Sequence, residues 1–131
     1  MLDFIANHHV LSLASSYNNK PSSCSVFYAF MEDEHSFIFA SQNESEHIQN
    51  IMKNSDVSAS IHEETREVLL IKGLQIKGAV RRADPRHEDF YVHVFSEAKE
   101  VKKEIWVIRV SELKLTDNKN IGFGQKEIWK G

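Results

Sequence analysis

The chain holds one cysteine, two prolines and five glycines in 131 residues, and each scarcity removes a class of explanation. The single thiol, Cys24, cannot form an internal disulfide or a thiolate metal cluster. With so little proline and glycine and no long polar tract, the sequence does not read as disordered or fibrous. Positive charge is not in surplus: 16 Lys and Arg against 19 Asp and Glu leave a net charge of −3. Counterion release therefore cannot drive general nucleic-acid binding, and no nucleic-acid partner is expected. No segment approaches the roughly 20 apolar residues that cross a bilayer, and MLDFIANHH lacks the charged and apolar regions of a signal peptide. The expectation is a soluble, cytoplasmic protein with no membrane partner.

Familiar catalytic signatures are missing too. The chain has no Gly-x-Ser-x-Gly elbow, no Walker loop and no Gly-x-Gly-x-x-Gly turn. Seven histidines are present, but the adjacent His8 and His9 would point to opposite faces of a strand, and no His-x-x-x-His pair comes with a further ligand. No metal site is expected, and the histidines read as surface residues. Cys24, in mid-strand between serines, reads as a small core residue.

What is present is an ordinary globular composition, 41% hydrophobic and 27% charged, long enough for a real core and short enough to predict a single domain over residues 1–131. The periodicity predicts a short helix over residues 1–7 with Leu2 and Ile5 inward. A hairpin follows over 10–16 and 22–31, turning at Asn18-Asn19-Lys20-Pro21, and then a strand over 36–40. A helix bearing Ile48, Ile51 and Met52 inward leads to a strand over 57–61. The longest strand is predicted over 68–81, with Gly73 and Gly78 marking a bulge or bend. Asp84-Pro85 starts a third helix, carrying Phe90, Tyr91, Val94, Phe95 and Ala98 inward and ending within residues 99–104. Strands over 105–110 and 113–115 and a short segment near Trp129 finish the chain. Many antiparallel strands with short turns predict a mainly β fold, a small barrel flanked by helices.

The richest stretch chemically is SFIFASQNESEHIQNIMKN, residues 36–54. A strand running into a helix N-terminus exposes backbone N–H groups to an anion, and Ser41, Ser45, His47 and Asn50 cluster around that point. Ser41 also stands three residues before Glu44, the spacing of a capping box, and Asn43 is an alternative cap. Capping and phosphate binding both remain open from spacing alone. Gly122-Phe123-Gly124 with Lys126 and Trp129 suits the covering of a planar ligand.

These parts together resemble a family. The FYAF and SFIFAS strands and SEHIQNIMKNSDVSASI are similar to the pyridoxamine 5'-phosphate oxidase-like, FMN-binding split-barrel proteins. LLIKGLQIKGAVRR and IWVIRVSELKLTDNKNIGFGQKEIWK resemble their YhbP-like branch. The resemblance implies a homodimeric, six-stranded antiparallel split barrel with FMN at the subunit interface. It implies isoalloxazine contacts along Ser25, Val26, Phe27 and Tyr28, and a phosphate grip by Ala40, Ser41, Ser45, Glu46 and His47. The family usually shows Ser-Arg-Lys where this chain has Ser45-Glu46-His47, so Lys72, or Lys126 of either subunit, is the expected source of the missing charge. An FMN-dependent oxidoreductase is implied, distinct from a true pyridoxamine 5'-phosphate oxidase and without a protein acid or base. The alternatives are a non-catalytic split-barrel dimer for another anionic or planar ligand and, third, a haem binder.

Overall fold

A computed structural model describes residues 1–100 and 104–131. The first hairpin joins β1 (Val10–Tyr17) to β2 (Lys20–Met31) through two residues, Asn18 and Asn19, with φ of 57° and 62°. Asparagine tolerates the left-handed region that such a turn needs at both positions, so the second strand resumes at Lys20. Next come β3 (Ser36–Ser41), β4 (Asp56–His62), β5 (Lys72–Arg82), β6 (Glu104–Asp117) and β7 (Lys126–Lys130).

The sheet order is β3-β2-β1-β4-β5-β6-β7, and β3 also pairs with β6. That pairing closes β1 to β6 into a six-stranded antiparallel barrel and leaves β7 as one extra strand. Strand β6 makes this possible by dividing one edge between two partners: residues 104–109 pair with β3, and 112–116 with β7. A register shift against β5 falls at this division, between Lys77 and Gly78. A Cβ on Gly78 would stand 2.4 Å from the Arg109 carbonyl oxygen, so the close approach there requires glycine. The sequence expected two pieces over 105–110 and 113–115; they are one bulged strand.

Alternation fills the barrel with Leu11, Leu13, Phe37, Phe39, Ile76 and Ile108, all fully or almost fully buried. One barrel end is covered by α1 (Leu2–Ala6), which buries Phe4 and Ile5 and accepts the Tyr28 hydroxyl at the Ile5 carbonyl, 2.6 Å away. Helix α2 (Glu46–Lys53) buries Ile48 and Ile51 against the same core. On the outer face of β2, β3 and β6, α3 (Pro85–Val94) lays Tyr91 against Ala29, Met31, Ile38 and Val107.

Several expectations need correction. Leu2, Met52 and Val94 are exposed, because each short helix turns a narrower face to the barrel than the pattern suggested. Residues 68–70 form an exposed 3-10 turn instead of starting β5, since β4 supplies partners only from Gly73 onward. Helix α3 ends at Val94, leaving Phe95 and Ala98 to pack from beyond it. The expected ending within 99–104 falls partly on residues 101–103, outside the described residues. His87 is fully buried, not a surface histidine, because it completes the Asp84 capping box.

Candidate functional site

Strand β3 delivers Ser41 to a barrel end with only 6% of its surface exposed. Residues 42–45 then turn through a Ser45 N–H to Gln42 carbonyl bond, and α2 begins with Ser45 as its N-cap. Neither Ser41 nor Asn43 caps the helix: the Ser41 Oγ lies 2.8 Å from His47 Nε2. The Ser45 side chain makes no cap bond either, so the first N–H groups of α2 are left to another acceptor. Burial holds the His47 imidazole below its ordinary range, more strongly than the neighbouring Glu46 carboxylate raises it. Asn50 points elsewhere, its amide 3.4 Å from Ser15 Oγ.

The β-register brings a further cation to this end. Glu104 pairs with Ser41 across β3 and β6, and Arg82 donates to the Glu104 carboxylate at 3.3 Å. The Arg82 guanidinium sits 4.6 Å above the Trp106 ring, whose buried Nε1–H has no partner among the described residues. An unmatched indole donor, a serine hydroxyl, an imidazole and an arginine thus share one barrel end, with Glu46 and Glu104 as the opposing charges. Sequence reasoning missed Arg82; its only sequence signal is that it stands two residues beyond the inward Val80, on the same strand face.

Lys72, Lys126 and Trp129 lie at the other end of β6. Lys72 pairs with Asp117, its Nζ 3.7 Å from that carboxylate, and Lys126 donates to Thr116 Oγ1 at 2.5 Å. The Trp129 indole stacks on the His35 imidazole at 4.2 Å and 3°, so one of its faces is already covered. Lys72 and Lys126 thus stand at the opposite end of β6 from Ser45, Glu46 and His47.

Along β2, Val26 and Tyr28 point into the core while Ser25 and Phe27 point out, Phe27 with 60% of its surface exposed. Strand β3 pairs with β2 only from Tyr28 onward, so the backbone of Ser25 to Phe27 has one edge without a strand partner. The Tyr91 hydroxyl, 3.4 Å from the Phe27 carbonyl, occupies part of that edge. Beside it opens a cleft of about 380 Å³ lined by Phe27, Ala40, Tyr91, Phe95, Glu97, Ala98 and Ile105. Ala40 lines the cleft on the outer face of β3, and Ser41, the next residue, turns to the inner face, so the cleft and the polar barrel end lie on opposite sides of the end of β3. One side of the strand thus carries an apolar, aromatic hollow and the other a group of donors for an anion. Burial raises the Cys24 thiol, so it is a poor nucleophile.

Among the described residues no three His, Cys, Asp or Glu side chains are grouped to hold a metal, and no helix is long and apolar enough to cross a membrane.

Known proteins match across this architecture. A UPF0306 protein of Photorhabdus laumondii is 31% identical over 131 residues, covering 97% of this chain and 91% of the relative. UPF0306 protein YhbP of Shigella boydii is 29% identical over 130 residues, covering 96% and 88%. A haem-binding protein from Mycobacterium smegmatis superposes with a TM-score of 0.78 at 17% identity, covering 97% of this chain and 55% of that one. An FAD-binding protein from Mesorhizobium loti does so with 0.70 at 12%, covering 86% and 88%. The solved structures establish the shared split-barrel fold. The sequence model described as pyridoxamine 5'-phosphate oxidase matches residues 1–117, which includes every strand of the barrel, and the chain belongs to that family.

Proposed function

We propose that the protein is a homodimeric FMN-binding oxidoreductase of the cytoplasm, folded as a single domain. The observation that carries this reading is the adjacency of the Ser41–His47 pair and Arg82 to an aromatic cleft and to the open edge of β2. Ser41, the α2 N–H groups and Arg82 would hold the phosphate, and the backbone of Ser25 to Phe27 would lie along the ring. Bound flavin would supply hydride or electron transfer, while the chain binds, orients and excludes water.

Flavin is favoured over haem because no histidine, cysteine or methionine is among the described residues lining the cleft. Oxidation of a phosphorylated pyridoxamine is disfavoured by the same lining, whose one charge among the described residues is the Glu97 carboxylate.

The test is a fluorescence titration of FMN with purified protein, together with light scattering for mass. Saturable quenching at micromolar concentration on a dimer is the expected result. A colourless protein indifferent to FMN would overturn the reading.

A further inference from the structure

Strand β7 ends the sheet. It pairs with β6, and no other described strand lies along its second edge. The Gly131 N–H donates to the Ser111 carbonyl at 3.0 Å, which fixes the phase of the antiparallel ladder. By alternation Glu127 and Trp129 also direct their backbone groups at β6, and the N–H and C=O groups of Lys126, Ile128 and Lys130 face outward. Such an edge is a template for a further strand.

The same residues set the chemistry that strand must have. Register places Lys126, Ile128 and Lys130 beside Thr116, Lys114 and Glu112 on the outer face of the sheet, with Lys77 next across β5. Glu112 is shared by Lys77 and Lys130, each 3.8 Å away, whose side chains are 70% and 72% exposed. Lys77, Lys114, Lys126 and Lys130 thus outnumber Glu112 there, although the whole chain carries a net charge of −3. Ile128, 53% exposed, stands between the two lysines of its own strand. On the inner side, Glu127 and Trp129 border a groove of about 460 Å³ that runs to the start of α1, lined also by Leu2, Asp3 and His35.

Side chains alternate along an added strand, so it meets both faces. Opposite Lys126 and Lys130 it needs carboxylates, and opposite Ile128 an apolar group; in the groove it needs an apolar or aromatic group beside Trp129 and a cation beside Glu127. A second copy of this chain does not meet these needs. In full overlap it sets Lys126 against Lys130 twice, and slid by two residues it sets either Glu127 against itself or Ile128 against Lys130. A nucleic acid would satisfy the lysines and leave the backbone groups unpaired.

We propose that the outer edge of β7 binds an extended, acidic segment of another protein, which joins the sheet as an antiparallel strand. Alternate carboxylates of the segment pair with Lys126 and Lys130, and the side chains between them enter the groove beside Trp129. The site lies at the opposite end of β6 from Ser41 and stands independently of the flavin reading.

Four probes test this on the full chain. The first is the blocked peptide Thr-Glu-Tyr-Val-Lys-Glu-Thr, the second has its acidic and basic residues exchanged, the third is the first with N-methyl groups on Val and both Glu, and the fourth is an oligothymidylate. Amide hydrogen exchange is the readout. The first peptide is expected to protect the N–H groups of Ile128 and Lys130, while those of Glu127 and Trp129, already bonded to β6, change little. The exchanged peptide should bind roughly tenfold more weakly, as three opposite-charge cross-strand pairs turned into like-charge pairs would give. The N-methylated peptide, which lacks the donors, should give no protection. Lys126→Glu combined with Lys130→Glu should reverse the preference between the first two peptides; both lysines are exposed, and the N-methylated peptide reads the backbone pairing on the unaltered protein. No protection by the first peptide, equal binding of the exchanged or N-methylated one, tighter binding of the oligothymidylate, or an unreversed preference in the double variant would each overturn the proposal.

Discussion

The Nε2 of His87 lies 2.5 Å from Oε1 of Glu34, joining α3 to the turn between β2 and β3 although the His87 side chain is wholly buried. Its Nδ1 accepts the Asp84 N–H at 3.2 Å, which leaves Nε2 to donate. Arg86 reaches the same Glu34 carboxylate with its Nη2 at 3.2 Å and comes within 3.9 Å of Asp33. This clamp positions the helix that walls the cleft.

His87→Ala is therefore expected to cost about 2–4 kcal/mol, from the cavity and from Glu34 left without its partner. Burial alone would raise the Glu34 carboxyl, but the hydrogen bonds from His87 and Arg86 and the Arg86 charge outweigh it and hold the group below its usual range. Stability from Glu34 is then present above the unfolded carboxyl value of about 4.3 and lost as pH falls through the folded one. Thermal melts between neutral and acid pH should show this loss, and Glu34→Gln should flatten it. An identical acid slope in the variant would remove Glu34 from the account.

The lowered His47 gives a second pH signature with its own window. Its folded pKa lies below the unfolded value of about 6.5, so the unfolded chain takes up protons first and stability declines as pH drops from there. Denaturation midpoints at pH 7.5 and 5.5 should differ less in His47→Gln than in the unaltered protein. On the FMN reading, a bound phosphate favours the imidazolium, so affinity should rise toward pH 6 and lose that rise in the variant.

Arg82→Gln separates the two barrel ends. Loss of one charge-assisted contact to a phosphate corresponds to about tenfold weaker FMN binding, the lower part of the usual range because Arg82 is half exposed. Lys72→Gln should change FMN affinity by less than about twofold, as a substitution remote from the phosphate does. A larger effect from Lys72 than from Arg82 in the fluorescence titration would contradict the assignment. On the proposed homodimer, Lys126→Gln tests the second subunit: weaker FMN binding there would mean that the partner's hairpin reaches across.

Gly78→Ala should destabilise the barrel by about 1–3 kcal/mol, since the new methyl group would meet the Arg109 carbonyl oxygen and Ile108 Cγ2 at 2.4 and 3.0 Å. Chemical denaturation would show it as a lower midpoint. An unchanged midpoint would mean that β6 yields easily at its division.

The hairpin at Asn18-Asn19 and the helix start at Asp84-Pro85 were legible because their signals are local. The approach of His47 to Ser41 was legible because strand, turn and helix follow one another directly, whereas Asn50, read into the same group, turns to Ser15. Residues 68–71 were misread since an apolar run says that a segment seeks cover, not that a neighbouring strand is there to pair with it. Arg82 was missed for a related reason: its place beside Ser41 depends on β5 and β3 both pairing with β6, a relation that no local window contains. The role of His87 was hidden in the same way by Glu34, more than fifty residues earlier.

The edge that β6 divides between β3 and β7 also dictates the order in which the molecule can form. Closure requires Phe37 to find Ile108 and Ser36 to find Arg109, partners separated by about seventy residues of chain. Until then β3 has an unpaired edge, and the apolar surface of β1 to β4 is an open sheet. Pairings this remote in sequence place the fold among those that form in milliseconds to seconds, and a chain halted before β6 presents a template for joining another copy edge to edge.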